Sequence, residues 1–404
     1  MLYQCTIAGE SSTSWFENLF YKVGEKHPEL AQQMVEKALS ENLTIKQQLG
    51  RVVGGLYRSN IEIAWSYIKS WVNSDDLVLW LAVAGSYYFL DWSVFQDKEW
   101  EVLYCLVTKQ SSQVDLKILE LISRFAPHNP LRSIEFFKII AARGDENVLL
   151  CVAQVLFRSF KDSQNGWGKK FIASEVFLNI VQNFERLSCL DYASEQCLAI
   201  LGKIDPMKVI DFIERRIIIK GEQHERSEYY EAINLPYSLV AKSIQSSTEY
   251  SNVLRRVRDW MLREDVWLYK APKVLKEIAG SLSEPLYSVL MEWVKSGDVQ
   301  KLHAVAKILR VFNSGQLFYS LSREIICNTN NEIILSYIRT SINSTPGVIV
   351  GGFSNHPRQR QEEISSWLED ENFRVRRFAN RMKQSLQQDL ERELETEEFE
   401  KRNW

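Results

Sequence analysis

Pairs of residues that favour the start of a helix recur along this chain at nearly regular spacing. His27-Pro28, Asn60-Ile61, Asp97-Lys98 and Asn129-Pro130 each precede an apolar run with helical periodicity. Asn and Asp cap a helix by accepting a backbone N–H, and Pro fits the first turn because its missing donor would be unpaired there. The second residues of these pairs are 33, 37 and 32 residues apart. This spacing predicts helical hairpins of similar length, repeated in tandem.

The stretch from Asn60 to Leu90 is the clearest copy of this unit, because it reads as two helices joined by a turn at Asp75-Asp76. One such hairpin cannot bury its apolar face alone, so further hairpins must stack against it. Apolar residues at i, i+3, i+4 and i+7 recur in second helices farther along. We therefore predict an all-α fold, an α-solenoid of roughly ten irregular helical hairpins with a long C-terminal helix.

Composition supports helices and argues against several other classes. The 404 residues include only 17 Gly and 9 Pro, too few for a turn-rich all-β fold. A net charge of −3 argues against a generally basic nucleic-acid binder. The apolar run from Leu77 to Leu90 is too short to cross a bilayer, so we expect no membrane association. Six scattered cysteines without a CxxC pair, and an N-terminus without a signal-peptide pattern, predict a cytoplasmic protein.

The repeat pattern resembles the HEAT and armadillo superfamily of α-solenoids over nearly the whole chain, although the period is irregular. Polar loops at Lys161 to Gly168 and Asn343 to Gln361 interrupt it. They predict an N-terminal sub-array (1–160), a central sub-array (169–343) and a terminal part (344–404) with a long loop, capping helices and an acidic extension. The alternative is one continuous solenoid.

The C-terminal run also resembles the ends of HEAT-like regions in large bacterial proteins of the defence type. The residues that carry this resemblance are Trp367-Leu368-Glu369-Asp370 and Val375-Arg376-Arg377-Phe378-Ala379. From Phe373 onward, Phe378, Met382, Leu386, Leu390 and Leu394 recur every fourth residue and predict a long amphipathic helix with an acidic end.

The sequence offers no motif for catalysis, a cofactor or a metal. It contains no GxxxxGK[ST] loop, and its five histidines are far apart, without partners at metal-ligand spacing. Gly54-Gly55 lacks the spacing of a dinucleotide-binding loop and instead predicts close packing of two helices. We expect no catalytic residues, no metal and no cofactor, and the sequence argues against most classes of enzyme.

Basic residues concentrate beyond Asp205, where residues 201–388 carry 27 Lys+Arg and 22 Asp+Glu. On one concave face they would suit phosphates or an acidic partner; the alternative is a solvated, ion-paired helix face. The candidate partner-binding residues are Arg215, Arg216, Arg255, Arg256, Arg258, Arg374, Arg376 and Arg377, with Arg360, Arg381 and Lys383 in the same clusters.

Two functions remain open at this stage. The first is a non-enzymatic scaffold or sensor that binds a protein or peptide partner, with bacterial defence as a context. The second is a nucleic-acid-binding protein that uses a basic surface in residues 205–383, as a HEAT-like class of alkylpurine DNA glycosylases does. Loss of DNA binding on charge reversal at Arg255, Arg256 and Arg258 would favour the second.

Overall fold

The structure is a computed structural model that describes residues 13–41, 44–91, 95–143, 145–161, 168, 175–223, 238–263, 265–312, 314–344 and 355–403. Throughout these residues the regular structure is helical, which confirms the predicted all-α class. They fall into two compact units. The first unit consists of Met1–Leu201 and Phe212–Asn234, and the second of Gly202–Asp211 and Leu235–Trp404.

The described residues contain 21 α-helices and several short 3-10 turns. The helices up to residue 204 are α1 Thr13–Lys26, α2 Pro28–Ser40, α3 Leu49–Ser59, α4 Ile61–Val72, α5 Leu77–Ser86, α6 Asp97–Thr108, α7 Ser112–Phe125, α8 Pro130–Arg143, α9 Glu146–Lys161, α10 Glu175–Gln182 and α11 Tyr192–Ile204. The others are α12 Pro206–Gln223, α13 Ser238–Gln245, α14 Tyr250–Asp259, α15 Asp265–Ala279, α16 Glu284–Ser296, α17 Val299–Leu309, α18 Gln316–Asn328, α19 Glu332–Asn343, α20 Asn355–Glu363 and α21 Phe373–Asn403.

The predicted helix starts agree with the observed ones to within one residue. Helices α2, α4, α6 and α8 begin at Pro28, Ile61, Asp97 and Pro130. The side chain of Asn60 accepts a hydrogen bond from the Ile63 N–H at 3.2 Å, which is the capping predicted from its position. Asn60 thus caps α4 as predicted, whereas His27 makes no side-chain cap bond at α2 and the N-cap of α6 is Gln96 instead of Asp97.

The turn at Asp75-Asp76 is likewise explained by capping. Asp76 is the N-cap of α5 and accepts from the Val78 N–H at 2.8 Å. The carboxylate satisfies a donor that has no partner inside the helix.

Within each unit, helices contact both their sequence neighbour and the helix after it. In the first unit α1 packs on α3, α3 on α5, α5 on α7 and α7 on α9. In the second unit α13 packs on α15, α14 on α16, α15 on α17, α16 on α18 and α17 on α19. The apolar faces of successive helices are buried by this stacking, which supplies the core that an isolated hairpin lacks.

Two glycines allow α1 and α3 to approach closely. A Cβ atom on Gly55 would lie 2.1 Å from the carbonyl oxygen of Tyr21, and one on Gly24 would lie 2.1 Å from that of Val52. No side chain fits such gaps, so backbone meets backbone here. The packing role predicted for Gly54-Gly55 is confirmed.

Arginine side chains in the first unit donate to carbonyl groups near the ends of earlier helices. Arg124 on α7 donates to the Tyr88 carbonyl, and Arg143 at the end of α8 donates to that of Val107 near the end of α6. Arg186 donates to the Ala141 carbonyl near the end of α8 at 2.6 Å. The last carbonyls of a helix have no partner within it, so these arginines satisfy acceptors that would otherwise be unpaired.

The C-terminal part differs from the prediction in one respect. The segment 343–361, read as a loop, includes the start of α20 at Asn355, while residues 345–354 lie outside the described residues. The polar sequence NHPRQRQEE gave no apolar periodicity from which that helix could be recognised. The long helix predicted from Phe373 is confirmed as α21, with Phe378, Met382, Leu386 and Leu390 buried. The loop predicted at 161–168 lies mostly outside the described residues.

Candidate protein-binding groove

A groove of about 490 Å³ lies in the second unit, where the end of α18, the start of α19 and the first turns of α21 meet. Its floor is apolar and consists of Ile326, Leu335 and Phe378. Four arginines form its rim: Arg339, Arg374, Arg377 and Arg381. We call this site the arginine groove.

The wall formed by α19 is fixed by a capped helix start. The side chain of Asn331 accepts from the backbone N–H of Ile333 at 2.9 Å and of Ile334 at 3.4 Å. This cap places Glu332 at the first position of the helix, where a carboxylate also interacts favourably with the helix dipole.

The wall formed by α21 is fixed by an ion pair from α18. Arg323 donates to both carboxylate oxygens of Asp370, at 2.6 and 3.1 Å, and this hydrogen bonding holds the pKa of Asp370 below its ordinary value. Asp370 accepts in turn from the Asn372 N–H at 2.8 Å, and the Asn372 side chain accepts from the Arg374 N–H at 2.9 Å. The first turn of α21 is therefore held against α18 by a chain of charge-assisted contacts.

Three of the rim arginines share one face of α21, because positions i, i+3 and i+7 of a helix lie above one another. Arg374 donates to the Cys327 carbonyl at 2.8 Å, and Arg381 donates to Glu332 at 2.9 Å. Arg377 lies between them and is exposed, and its side chain has no ion pair or hydrogen bond with any other described residue. Its guanidinium is thus available to a ligand.

Glu332 is the carboxylate among these arginines. It accepts from Arg381 at 2.9 Å and from Arg339 at 3.2 Å. The hydrogen bond from Arg381, with the nearby charge of Arg339, lowers the pKa of Glu332, which therefore stays ionised at neutral pH. One carboxylate against four arginines leaves the groove with an excess of positive charge.

Of the eight arginines predicted from sequence, the structure brings Arg374 and Arg377 into the groove. Arg376, between them in sequence, is half-buried on another side of α21. It donates to the carbonyls of Asp370 at 2.5 Å and Glu371 at 2.9 Å, so it stabilises the segment that leads into the helix.

The cluster around Trp260 is mostly neutralised within the second unit. Arg255 donates to Glu292 through two nitrogens, at 2.6 and 2.9 Å, and Arg256 lies 3.8 Å from Asp211. Arg258 is buried, donates to the Val289 carbonyl at 2.7 Å and lies 4.4 Å from the ring centroid of Trp293. The exposed position expected for Arg258 is wrong, because its side chain packs into the interface of α14 with α16.

In the first unit, Arg215 pairs with Glu185 at 2.7 Å. Arg216 is buried and donates to the Leu187 carbonyl at 2.7 Å, with longer contacts to neighbouring carbonyls of the same segment. The exposed position expected for Arg216 is therefore also wrong, since it caps the 3-10 turn at Asn183–Arg186. Arg360 in the second unit is corrected in the same way, being buried and bonded to Tyr319 and Glu363.

Sequence reasoning missed Arg339 and Glu332 as parts of a site. They precede α21 by a segment that includes undescribed residues, and nothing in their own helix marks them. The spacing of Arg374, Arg377 and Arg381 was the available signal, since it already places three arginines on one helical face.

Among the described residues no group of three His, Cys, Asp or Glu side chains is placed to hold a metal ion. None of the helices in the described ranges has both the length and the apolar character of a membrane span. Comparison of the chain with known protein families, curated proteins and solved structures found no match.

Proposed function

We propose that this chain is a non-enzymatic helical-repeat scaffold whose arginine groove binds an acidic segment of a protein partner. The packing of each helix on the next but one supports an α-solenoid of HEAT or armadillo type in each unit. The observation that carries the binding proposal is the exposed, unpaired Arg377 between Arg374 and Arg381, above an apolar floor.

The composition of the groove favours a peptide over a nucleic acid. The apolar floor matches a Leu or Phe side chain, which an acidic peptide can supply and a phosphate backbone cannot. Of the other arginines proposed for a nucleic-acid surface, Arg255 and Arg215 already pair with carboxylates.

A direct binding measurement tests this function. A fluorescein-labelled peptide of alternating Glu and Leu residues is titrated with the protein and followed by fluorescence anisotropy, beside a Lys/Leu peptide and a labelled DNA duplex. We expect binding of the Glu/Leu peptide, and loss of at least about tenfold in affinity on Arg377→Glu, because like charges then meet in the groove.

Lys295→Glu provides the matched control, since Lys295 is an exposed cation on α16 and does not line the groove. It should leave peptide affinity within about twofold, since surface charges away from a contact act only through screened interactions. Preference for the DNA duplex, abolished by Arg377→Glu, would replace this proposal with the nucleic-acid one. Equal binding by wild type and Arg377→Glu would remove the groove as the site.

A further inference from the structure

Helix α21 carries its charges in an order that opposes the helix dipole. Its first turn contains no acidic residue and includes Arg374 and Arg376, while residues 389–404 contain seven Asp+Glu and three Lys+Arg. The N-terminus of a helix has partial positive charge, so the first turn of α21 is unfavourable for Arg374 and Arg376. Acidic groups supplied from outside would relieve that repulsion.

One exposed face of α21 shows how those charges are arranged. Its members lie alternately three and four residues apart, which is the spacing of a seam between two paired helices. All eight are exposed: Arg374, Arg377, Arg381, Gln384, Gln388, Glu391, Glu395 and Glu398. We call this set the charge stripe. Its first three positions are basic, its middle two are neutral and its last three are acidic.

The charge stripe is symmetric about the level of Leu386, a residue buried against its own unit. Arg374 and Glu398 lie 12 residues before and after Leu386, and Arg377 and Glu395 lie 9 before and after. Arg381 and Glu391 lie 5 residues before and after Leu386, and Gln384 and Gln388 lie 2 residues before and after it. Each basic position therefore has an acidic counterpart at the same distance from the centre.

Two exposed aromatic residues obey the same symmetry. Phe373 is 65% exposed and Phe399 is 70% exposed, and they lie 13 residues before and after Leu386. Large exposed aromatic side chains at matched positions are apolar contacts that a partner helix can cover.

We infer that the arginine groove takes the acidic end of α21 from a second copy of this chain, in an antiparallel pair of α21 helices related by a two-fold axis at Leu386. In that pair Arg374, Arg377 and Arg381 face Glu398, Glu395 and Glu391 of the second copy. Each of the three pairs forms twice, because a two-fold interface repeats every contact. This inference rests on the proposed function and names its partner.

Other alignments of the two helices form fewer Arg–Glu pairs between the copies. A parallel pair would put arginine against arginine and glutamate against glutamate. An antiparallel pair shifted by one heptad in either direction keeps only one of the three Arg–Glu pairs. Charge complementarity therefore selects both the direction and the register of the pairing.

The geometry of the groove is compatible with this occupant. A helix rises about 1.5 Å per residue, so the charge stripe is about 36 Å long and its acidic end reaches the level of the partner's groove. There Glu395 of the second copy approaches Arg377, and Phe399 of the second copy approaches the exposed ring of Phe373. The ion pairs are solvated, so the association is salt-sensitive.

Charge exchange between Arg377 and Glu395 tests the inference, because neither side chain has an ion pair or hydrogen bond with another described residue. The full chain is compared by sedimentation velocity as wild type, Arg377→Glu, Glu395→Arg and the double variant, at low and high NaCl, with Lys295→Glu as control. Circular dichroism of each variant checks that helix content is unchanged.

We expect a wild-type dimer that dissociates more readily at high salt, and a dissociation constant at least about tenfold higher for each single variant. The double variant restores opposite charges at both contacts and should return to within about threefold of wild type. An equimolar mixture of the two single variants should form a heterodimer, because only the mixed pair brings opposite charges together.

A wild-type chain that stays monomeric at high concentration and low salt overturns the inference, as do single variants that dimerise like wild type. If the monomeric chain nevertheless binds the Glu/Leu peptide through Arg377, the proposed function stands and the acidic segment comes from another protein. If the dimer follows the charge-exchange pattern but no peptide binds, self-pairing stands and the acidic segment that the groove takes is that of the second copy alone.

Discussion

Glu332, at the first position of α19, accepts a hydrogen bond of 2.9 Å from Arg381 on α21. The two residues are 49 positions apart, and their pairing joins the two walls of the arginine groove. Because Arg339 donates to the same carboxylate, Glu332 neutralises part of the charge of two arginines. An incoming acidic side chain must share these donors with it.

Substitution of Glu332 by Gln should strengthen binding of the Glu/Leu peptide. The amide keeps the shape of the side chain but removes its charge, so we expect about threefold to tenfold higher affinity and a steeper salt dependence. Anisotropy titrations at several NaCl concentrations measure both. Glu284→Gln, at an exposed position of α16, should change neither. Weaker binding by Glu332→Gln would mean that Glu332 is needed to orient Arg381.

Arg258 should matter for stability, whereas its neighbour Arg255 should matter little. Arg258→Met removes a buried donor to the Val289 carbonyl and the contact with Trp293, and we expect about 3 kcal/mol lower unfolding free energy. Arg255→Met breaks only exposed contacts, with Glu292 and Asn252, and should cost less than about 1 kcal/mol. Urea denaturation measures both.

The difference between Arg258 and Arg255 also affects how tests of nucleic-acid binding must be interpreted. Charge reversal at Arg258 would abolish DNA binding by unfolding α14, whatever the function. Equal losses of stability for the Arg258 and Arg255 variants would contradict the structural role assigned to Arg258.

Gly24 and Gly85 should respond in opposite ways to alanine. At Gly24 a Cβ would lie 2.1 Å from the Val52 carbonyl oxygen, so Gly24→Ala must separate α1 from α3, at about 3 kcal/mol. At Gly85 the nearest atom is the Gly50 Cα at 4.0 Å, so Gly85→Ala should be neutral or stabilising by up to about 1 kcal/mol. Thermal unfolding followed by circular dichroism distinguishes them, and a stable Gly24→Ala variant would contradict the close packing.

Asp115 should make the free energy of unfolding depend on pH between about pH 4 and pH 6. Burial raises its pKa from 3.8 to about 6, against the opposing effect of Arg143, which donates to it at 2.8 Å. The folded chain then binds this proton more tightly than the unfolded chain. Protonated Asp115 therefore stabilises the folded chain below about pH 4. This contribution, roughly 3 kcal/mol, is lost as the pH rises through about 6.

The measurement is the difference in unfolding free energy between wild type and Asp115→Asn from pH 4 to pH 7. We expect this difference to fall with rising pH. Carboxylates whose pKa is lowered, such as Asp370, titrate below this window and act in the opposite direction, since their stabilisation is lost on acidification. A difference that does not change with pH would show that Arg143 fully compensates the burial of Asp115.

Sequence was sufficient for the parts of the fold that are decided locally. Caps such as Asn60 and Asp76, and the apolar period of α21, act within one or two helical turns, so their effect can be read from neighbouring residues. Arg258 and Arg216 could not be placed in this way. Their burial depends on which carbonyl groups a neighbouring helix presents, and that is decided by packing between segments about 30 residues apart.

The arginine groove likewise combines residues that can be placed from local sequence with residues that are placed only by tertiary packing. The three arginines of α21 could be placed on one face from their spacing alone. Arg339 and Glu332 come from another helix, and their approach depends on the Arg323–Asp370 contact that holds the start of α21. Half of the site was therefore visible in one helix, and the other half required the tertiary structure.

In the first unit, the arginines that donate to carbonyl groups near helix ends also constrain how this chain can change in length. Arg124 and Tyr88 are 36 residues apart, and so are Arg143 and Val107. An insertion in the turn between such partners moves the guanidinium away from its carbonyl unless the added residues loop out entirely. Evolutionary gain or loss of residues should thus be tolerated outside these spans and selected against within them, so that these contacts at helix ends fix the number of residues between their partners.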